Sequence, residues 1–310
     1  MTIAQAARRG RTPDRPGPGE LRDAHLRRLD LTVRRRVDAL LAGDHRAITI
    51  GDGSELAQIR PYVVGDDVRR IDWNVTARTG EVHVREHVAE RAARVWLLLD
   101  TSASMLFGTA DRRKWDVAEG VALAVGHVAA RRGNRLAVAT YGDAAPIVQP
   151  DRHGRRGLLG LLHALRREPS DQPCGTTSFA QACDRAARLV RRRSLVVVVS
   201  DFRGPLDWRR PLLRLAAGHD VVAVEVRDRR EEELPDVGVL WLVDPETRQQ
   251  LQVDTRDRRL RARFAADAAT ERRELERLFR AVGVPHAVVS TSGDWLRTLV
   301  RFLELEKTRR

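Results

Sequence analysis

Lysine is almost absent from this chain of 310 residues: Lys114 and Lys307 are the only two, although Lys and Arg together number 56. The formal net charge of +13 is therefore carried by arginine, and the sequence pI is near 11.1. Such a balance could in principle serve nucleic acid or an anionic surface. Arginine without lysine in an alanine-rich chain fits a coding bias as well, and no basic stripe interleaved with aromatics is present, as single-strand binding needs. A basic nucleic-acid-binding protein is carried as an alternative only. Cysteine is equally scarce. Cys174 and Cys183 form neither a CxxC pair nor a zinc set with the scattered histidines, and two thiols point to a reducing compartment rather than a disulfide scaffold. No uncharged apolar stretch reaches the length of a membrane span. Met1 to Glu20 contains arginines and Pro-Gly-Pro-Gly but no apolar core of a signal peptide, so residues 1–20 are expected to be a flexible tail and the cytoplasm is the expected location. A Gly-x-x-x-x-Gly-Lys loop, a Gly-x-Ser-x-Gly elbow and internal repeats are also missing, which excludes a P-loop ATPase and an α/β-hydrolase nucleophile.

What is present begins at residue 95. Val95-Trp96-Leu97-Leu98-Leu99 is an apolar run that ends in Asp100, followed at alternate positions by Ser102 and Ser104. A carboxylate and two hydroxyls on the turn leaving a buried strand supply three oxygens suited to a hard cation, Mg2+ or Mn2+. Two distant segments can complete the set: Cys174-Gly175-Thr176-Thr177-Ser178, with a threonine hydroxyl on a glycine turn, and Leu195 to Ser200, a second apolar run that ends in Asp201. A Ser or Asp just after a strand is often only the N-cap of the next helix. The coincidence of all three segments is what favours a site.

The rest of the chain alternates strands and helices. Strands are expected at Val95–Leu99, Arg135–Tyr141, Leu195–Ser200, Val221–Val226 and Ala287–Ser290, with a short edge strand at Pro146–Gln149. Helices are expected at Arg113–Ala130, Gly157–Arg167, along Phe179, Cys183, Ala186 and Val190, at Asp207–Ala217 with Gly218 as C-cap, at Arg258–Val282 before Gly283, and from Asp294. Val237–Val243 and Gln250–Val253 read as a hairpin. This pattern predicts an α/β fold with a doubly wound, mostly parallel sheet. With strand order 3-2-1-4-5-6, Asp100 and Asp201 converge at the switch point. Residues 21–94 are expected to form an N-terminal helix, about Arg22 to Leu41, and a β-rich extension, and residues 95–310 the α/β domain.

These residues carry a resemblance. Asp100-x-Ser102-x-Ser104, Thr177 and Asp201 resemble the metal-ion-dependent adhesion site of von Willebrand factor A domains, with all five positions filled. Just before them, Tyr62-x-x-Gly65-Asp66-Asp67-x-Arg69-Arg70-Ile71-Asp72-Trp73-x-x-x-Ala77-Arg78-x-Gly80 resembles the bacterial family known as domain of unknown function 58, and the likeness runs from about Gly53 to the C-terminus. The resemblance implies a von Willebrand factor A-like domain in which hydroxyls bind Mg2+ or Mn2+ and the aspartates act mostly through water, leaving the ion able to accept a carboxylate from a partner. It further implies a MoxR-type AAA+ ATPase as partner and a chaperone-like, non-enzymatic role toward a client protein.

The enzymatic alternative is a Mg2+-dependent phosphoryl hydrolase. Against it, the Asp-x-Asp nucleophile pattern is broken by Ser102, and no lysine is expected near the core strands. His83 and His87, four apart, lie in an alternating segment that reads as strand. Asp66, Asp67 and Asp72 are expected to pair with Arg69, Arg70 and Arg78 in a turn network, with Trp73 anchored in the core. Trp208, Trp241 and Trp295 are read as packing residues.

Overall fold

The computed structural model describes residues 2–3, 17–30, 50–88, 93–109, 111–131, 133–142, 146–166, 169, 178–244, 247 and 249–307. The chain divides into two compact units, Met1–Leu40 with Ala93–Arg310, and Leu41–Ala92.

The larger unit is built on six strands: β4 (Arg94–Asp100), β5 (Arg135–Tyr141), β6 (Val148–His153), β7 (Leu195–Ser200), β8 (Asp220–Arg227) and β11 (His286–Ser290), with spatial order β11-β8-β7-β4-β5-β6. All neighbours are parallel except β5 and β6. Counted within this sheet from β4, the order is the expected 3-2-1-4-5-6, and the fold is α/β with a doubly wound, mostly parallel sheet. The edge strand falls later than Pro146–Gln149 and runs antiparallel. Strands β4, β5 and β7 are buried along nearly their whole length, which is why they read as apolar runs without alternation: helices cover both faces.

Alternate residues of each strand serve the two layers. Trp96, Leu98, Ala139, Val196 and Val198 pack with Phe179 of α5 (Phe179–Leu189), Trp208 at the N-cap of α6 (Arg209–Gly218) and Phe279 of α7 (Arg258–Val282). On the opposite face Leu195, Val197, Val222 and Val224 meet Val125 of α3 (Lys114–Arg131) and Leu299 and Leu303 of α8 (Trp295–Lys307). Helix α4 (Gly154–Leu165) lies against α3, β5 and β6. Gly218 closes α6 as its last residue and His219 is the cap, whereas Gly283 caps α7 in the left-handed region at φ 71°, as its position predicts. The hairpin β9 (Val239–Val243) and β10 (Gln250–Asp254) stands outside the central sheet, and β1 (Thr2–Ile3) adds to β9. Residues 23–30 form helix α1; residues 31–41, the rest of the expected helix, lie outside the described residues. Within the expected tail, the Pro18 carbonyl accepts from Trp295 Nε1 at 2.8 Å and from Arg112 Nη1 at 3.0 Å.

The smaller unit pairs β2 (Ile50–Pro61) with β3 (His83–Val88) antiparallel, and between them lies the turn block with α2 (Trp73–Thr79). Its aspartates hold backbone. Asp67 accepts from Arg69 N, and Asp72 caps α2 through Asn74 N and Val75 N. Asp66 takes Arg60, which was not among the expected partners, in a two-pronged pair at 2.7 and 2.8 Å, and accepts from Val63 N. The Arg60 guanidinium and the Val63 amide lower the Asp66 pKa to about 2. Two expectations about tryptophan are overturned. Trp73 is 69% exposed, because α2 opens with it on the solvent side, and Trp241 is 48% exposed on the outer face of β9. Trp208 and Trp295 are buried as expected.

Candidate functional site

Asp100 ends β4, and the adjoining strand β7 runs one residue beyond Leu99↔Val199 to end at Ser200, with Asp201 directly after it. Parallel pairing of two central strands thus brings both acids to the same carboxyl edge. Asp100 Oδ1 accepts from Ser102 N at 2.9 Å, and Asp100 Oδ2 accepts from Ser200 Oγ at 2.6 Å. Ser102 Oγ lies 3.0 Å from Ser104 Oγ. Asp100, Ser102, Ser104, Ser200 and Asp201 are all buried. Four of the five expected ligands therefore converge, and Thr177 lies outside the described residues.

The backbone around the acids is fixed from three sides. Thr101 N and Oγ1 both donate to the Tyr141 carbonyl at the end of β5. Gly142 follows at φ 88°, and a Cβ there would stand 2.9 Å from Asp100 Oδ1. Phe202, next to Asp201, has φ 51°. A non-glycine residue in the left-handed region costs about 1–3 kcal/mol and persists only where its surroundings over-determine it. Here the Phe202 ring is packed 5.2 Å from Phe179 and 4.9 Å from Phe279, and its amide donates to Ser200 Oγ at 2.8 Å.

Asp201 has a partner that the sequence reading missed. Lys114, the first residue of α3, is fully buried, and its Nζ donates to Asp201 Oδ2 at 2.5 Å and to Glu231 Oε1 at 2.6 Å. The expectation that no lysine lies near the core strands is thereby corrected. Asp201 Oδ1 accepts from Arg203 N, and the Arg203 guanidinium lies 3.9 Å from Glu231. Arg203 and Glu231 also line a cavity of about 380 Å3 with Leu234, Leu242, Phe264 and Glu271.

The two acids are tuned in opposite directions. Burial, and next the charge of Asp201, push the Asp100 carboxyl up to about 7, against the hydrogen bonds from Ser200 and Ser102. Burial works the same way on Asp201, but Lys114 and Arg203 together outweigh it and hold that carboxyl below the usual range. Burial disfavours the Lys114 ammonium, and Asp201 and Glu231 more than offset this, so its pKa is raised. Burial and the nearby Asp100 charge raise the Tyr141 phenol well above its ordinary value.

One carboxylate and two hydroxyls in contact fit a small hard cation that keeps several waters. Asp201, with both oxygens engaged, fits a role through water. Among the described residues no group of three or more His, Cys, Asp and Glu side chains is placed to hold a metal.

The chain is 42% identical over 281 residues to the uncharacterized protein Rv1480 of Mycobacterium tuberculosis, covering 90% of this chain and 88% of that protein. It is 41% identical over 156 residues to the uncharacterized protein MAV169 of Mycobacterium avium, covering 50% of this chain and 91% of that protein. Among solved structures, the conserved hypothetical protein BatB of Bacteroides thetaiotaomicron aligns over 70% of this chain and all of its own, at 14% identity and a TM-score of 0.43. The SpRpn10 VWA domain aligns over 67% of this chain and 94% of its own, at 14% identity and a TM-score of 0.39. The family described as "Protein of unknown function DUF58" matches residues 58–274, and the chain belongs to it.

Proposed function

We propose that the protein is a non-enzymatic, metal-dependent interaction module that works in the cytoplasm with a MoxR-type AAA+ ATPase in the chaperone-like assembly or maturation of a client protein. The observation that carries this reading is the contact of Ser102 Oγ with Ser104 Oγ beside Asp100, on the carboxyl edge of the sheet. Hydroxyls donate to Mg2+ or Mn2+ without neutralising it, so the ion keeps its affinity for a carboxylate supplied by a partner. Thr177 would be the fifth ligand. The test is a pulldown of the ATPase and client with wild type and Asp100→Ala, in Mg2+ and in EDTA. Association is expected only for wild type with Mg2+; equal association of Asp100→Ala, or indifference to EDTA, would sink the reading.

The phosphoryl-hydrolase alternative gains a lysine from the structure, but not one that can serve a phosphate. Lys114 Nζ is buried and engaged by two carboxylates.

A further inference from the structure

Lys114 is one of two lysines in a chain whose other cations are mostly arginines, and it is sealed in the core. A buried ammonium is costly unless its charge is met by well-placed acceptors. Here two acids meet it, Asp201 at 2.5 Å and Glu231 at 2.6 Å. Asp201 is also the acid that reaches the candidate metal site, hydrogen-bonded through Oδ1 to Arg203 N and charged toward Asp100. A divalent cation at Asp100, Ser102 and Ser104 would therefore share Asp201 with a cation that is already part of the chain.

We propose that Lys114 is a positioning residue that holds Asp201 and lowers the affinity of the adjoining site for divalent metal, and that Glu231 sets the strength of this restraint by holding the other side of the ammonium. The inference rests on the metal-site reading above. Its physical content is competition for charge. Lys114 screens the negative potential that attracts the ion, and each proton donor it gives to Glu231 is one it does not give to Asp201. With Lys114 in place the fold needs no metal to balance Asp201, so the protein can stand folded in a metal-free state and take up the ion when a partner carboxylate adds its charge.

This assignment predicts substitutions of opposite sign. Lys114→Met is nearly isosteric along its stem and removes the charge, so Mn2+ should bind about tenfold tighter or more, as expected for removal of a unit charge within a few ångströms of a poorly screened ion. Glu231→Gln can still accept one hydrogen bond, but it removes an acid and leaves the ammonium to Asp201, so Mn2+ should bind several-fold more weakly. A purely structural lysine would make both substitutions loosen the site together.

The experiment titrates the full chain with Mn2+, following free Mn2+ by electron paramagnetic resonance, with circular dichroism to confirm folding and Asp100→Ala as the site control. Where Lys114→Met alone does not fold, the comparison is made in the Glu231→Gln background, in which the double variant should bind more tightly than Glu231→Gln alone. Tighter binding on loss of the lysine, including binding that emerges where wild type shows none, supports the proposal. If wild type binds Mn2+ and Asp100→Ala does not, yet loss of Lys114 fails to tighten binding, the proposal falls and the metal site stands. If no variant binds millimolar Mn2+, the metal reading and the proposal fall together.

Discussion

A Cβ placed on Gly142 would stand 2.9 Å from Asp100 Oδ1 and 2.8 Å from Ser102 N. Gly142, at the end of β5, is thus part of the wall that keeps the Asp100 carboxylate and the Ser102 amide in their turn. Its φ of 88° adds a backbone demand that an L side chain meets poorly. Gly142→Ala should cost stability by about 1 kcal/mol or more, and should abolish Mn2+ binding even in the fraction that stays folded. Urea unfolding and Mn2+ titration check the two parts; a variant that binds Mn2+ like wild type would show that the turn has room.

Asp100 is a buried carboxyl raised to about 7, first by burial and next by Asp201. Part of its population is charged at neutral pH in surroundings that disfavour the charge. In EDTA at neutral pH, Asp100→Asn should therefore be at least as stable as wild type, by about 1 kcal/mol, provided its amide oxygen faces Ser200. With Mg2+ present the order should reverse. Thermal unfolding in EDTA and in Mg2+ gives the answer, and a strong loss of stability in EDTA would mean that the carboxylate holds the fold itself.

Glu225 offers a test by acid. Burial pushes its pKa up, but His286 at 2.7 Å and Arg227 outweigh that and hold it below its ordinary 4.5. A depressed pKa means that the stabilisation is present above the ordinary value and is lost as pH falls through the folded-state value. The stability difference between wild type and Glu225→Gln should be constant above about pH 5 and shrink below it. Denaturation across this range measures it; a difference that grows with acid would reverse the sign of the cluster.

Tryptophan exposure separates two sites that look alike in sequence. Trp208 is 1% exposed and Trp73 is 69% exposed. Trp208→Ala should cost about 3–5 kcal/mol, while Trp73→Ala should stay within about 0.5 kcal/mol. Trp73 should also account for most of the acrylamide-quenchable fluorescence that is lost on substitution at either position. A core-sized penalty at Trp73 would mean that its ring is covered in solution.

Much of the larger unit was legible because its signals are local. Leu97, Leu98 and Val196 to Val199 are apolar without alternation, which belongs to strands covered on both faces, and the acids that follow them mark the carboxyl edge. Once strand and helix alternate, handedness and the switch point leave few topologies, so the meeting of Asp100 with Asp201 could be anticipated across a hundred residues. The turn block was harder to read. Asp66, Asp67 and Asp72 were rightly seen as turn-forming, but their amide partners depend on local dihedrals, and the Arg60 pair depends on where β2 ends. Trp73 looked like an anchor because tryptophan commonly is one; the phase of a two-turn helix decided otherwise.

The sequence by itself determined the succession of strands and helices and the oxygen-bearing turn after β4, since both follow from hydrophobic run lengths and the residues that end them. Only the tertiary structure decided the charge state of the site. Lys114 opens a helix behind a glycine-containing loop and reads as an ordinary surface cation, and Glu231 reads as one acid in a charged stretch. They lie 87 residues before Asp201 and 30 after it, and no periodicity links such positions. Packing of α3 against the sheet takes water away from all three, and in its absence each charge must find its partner within the protein.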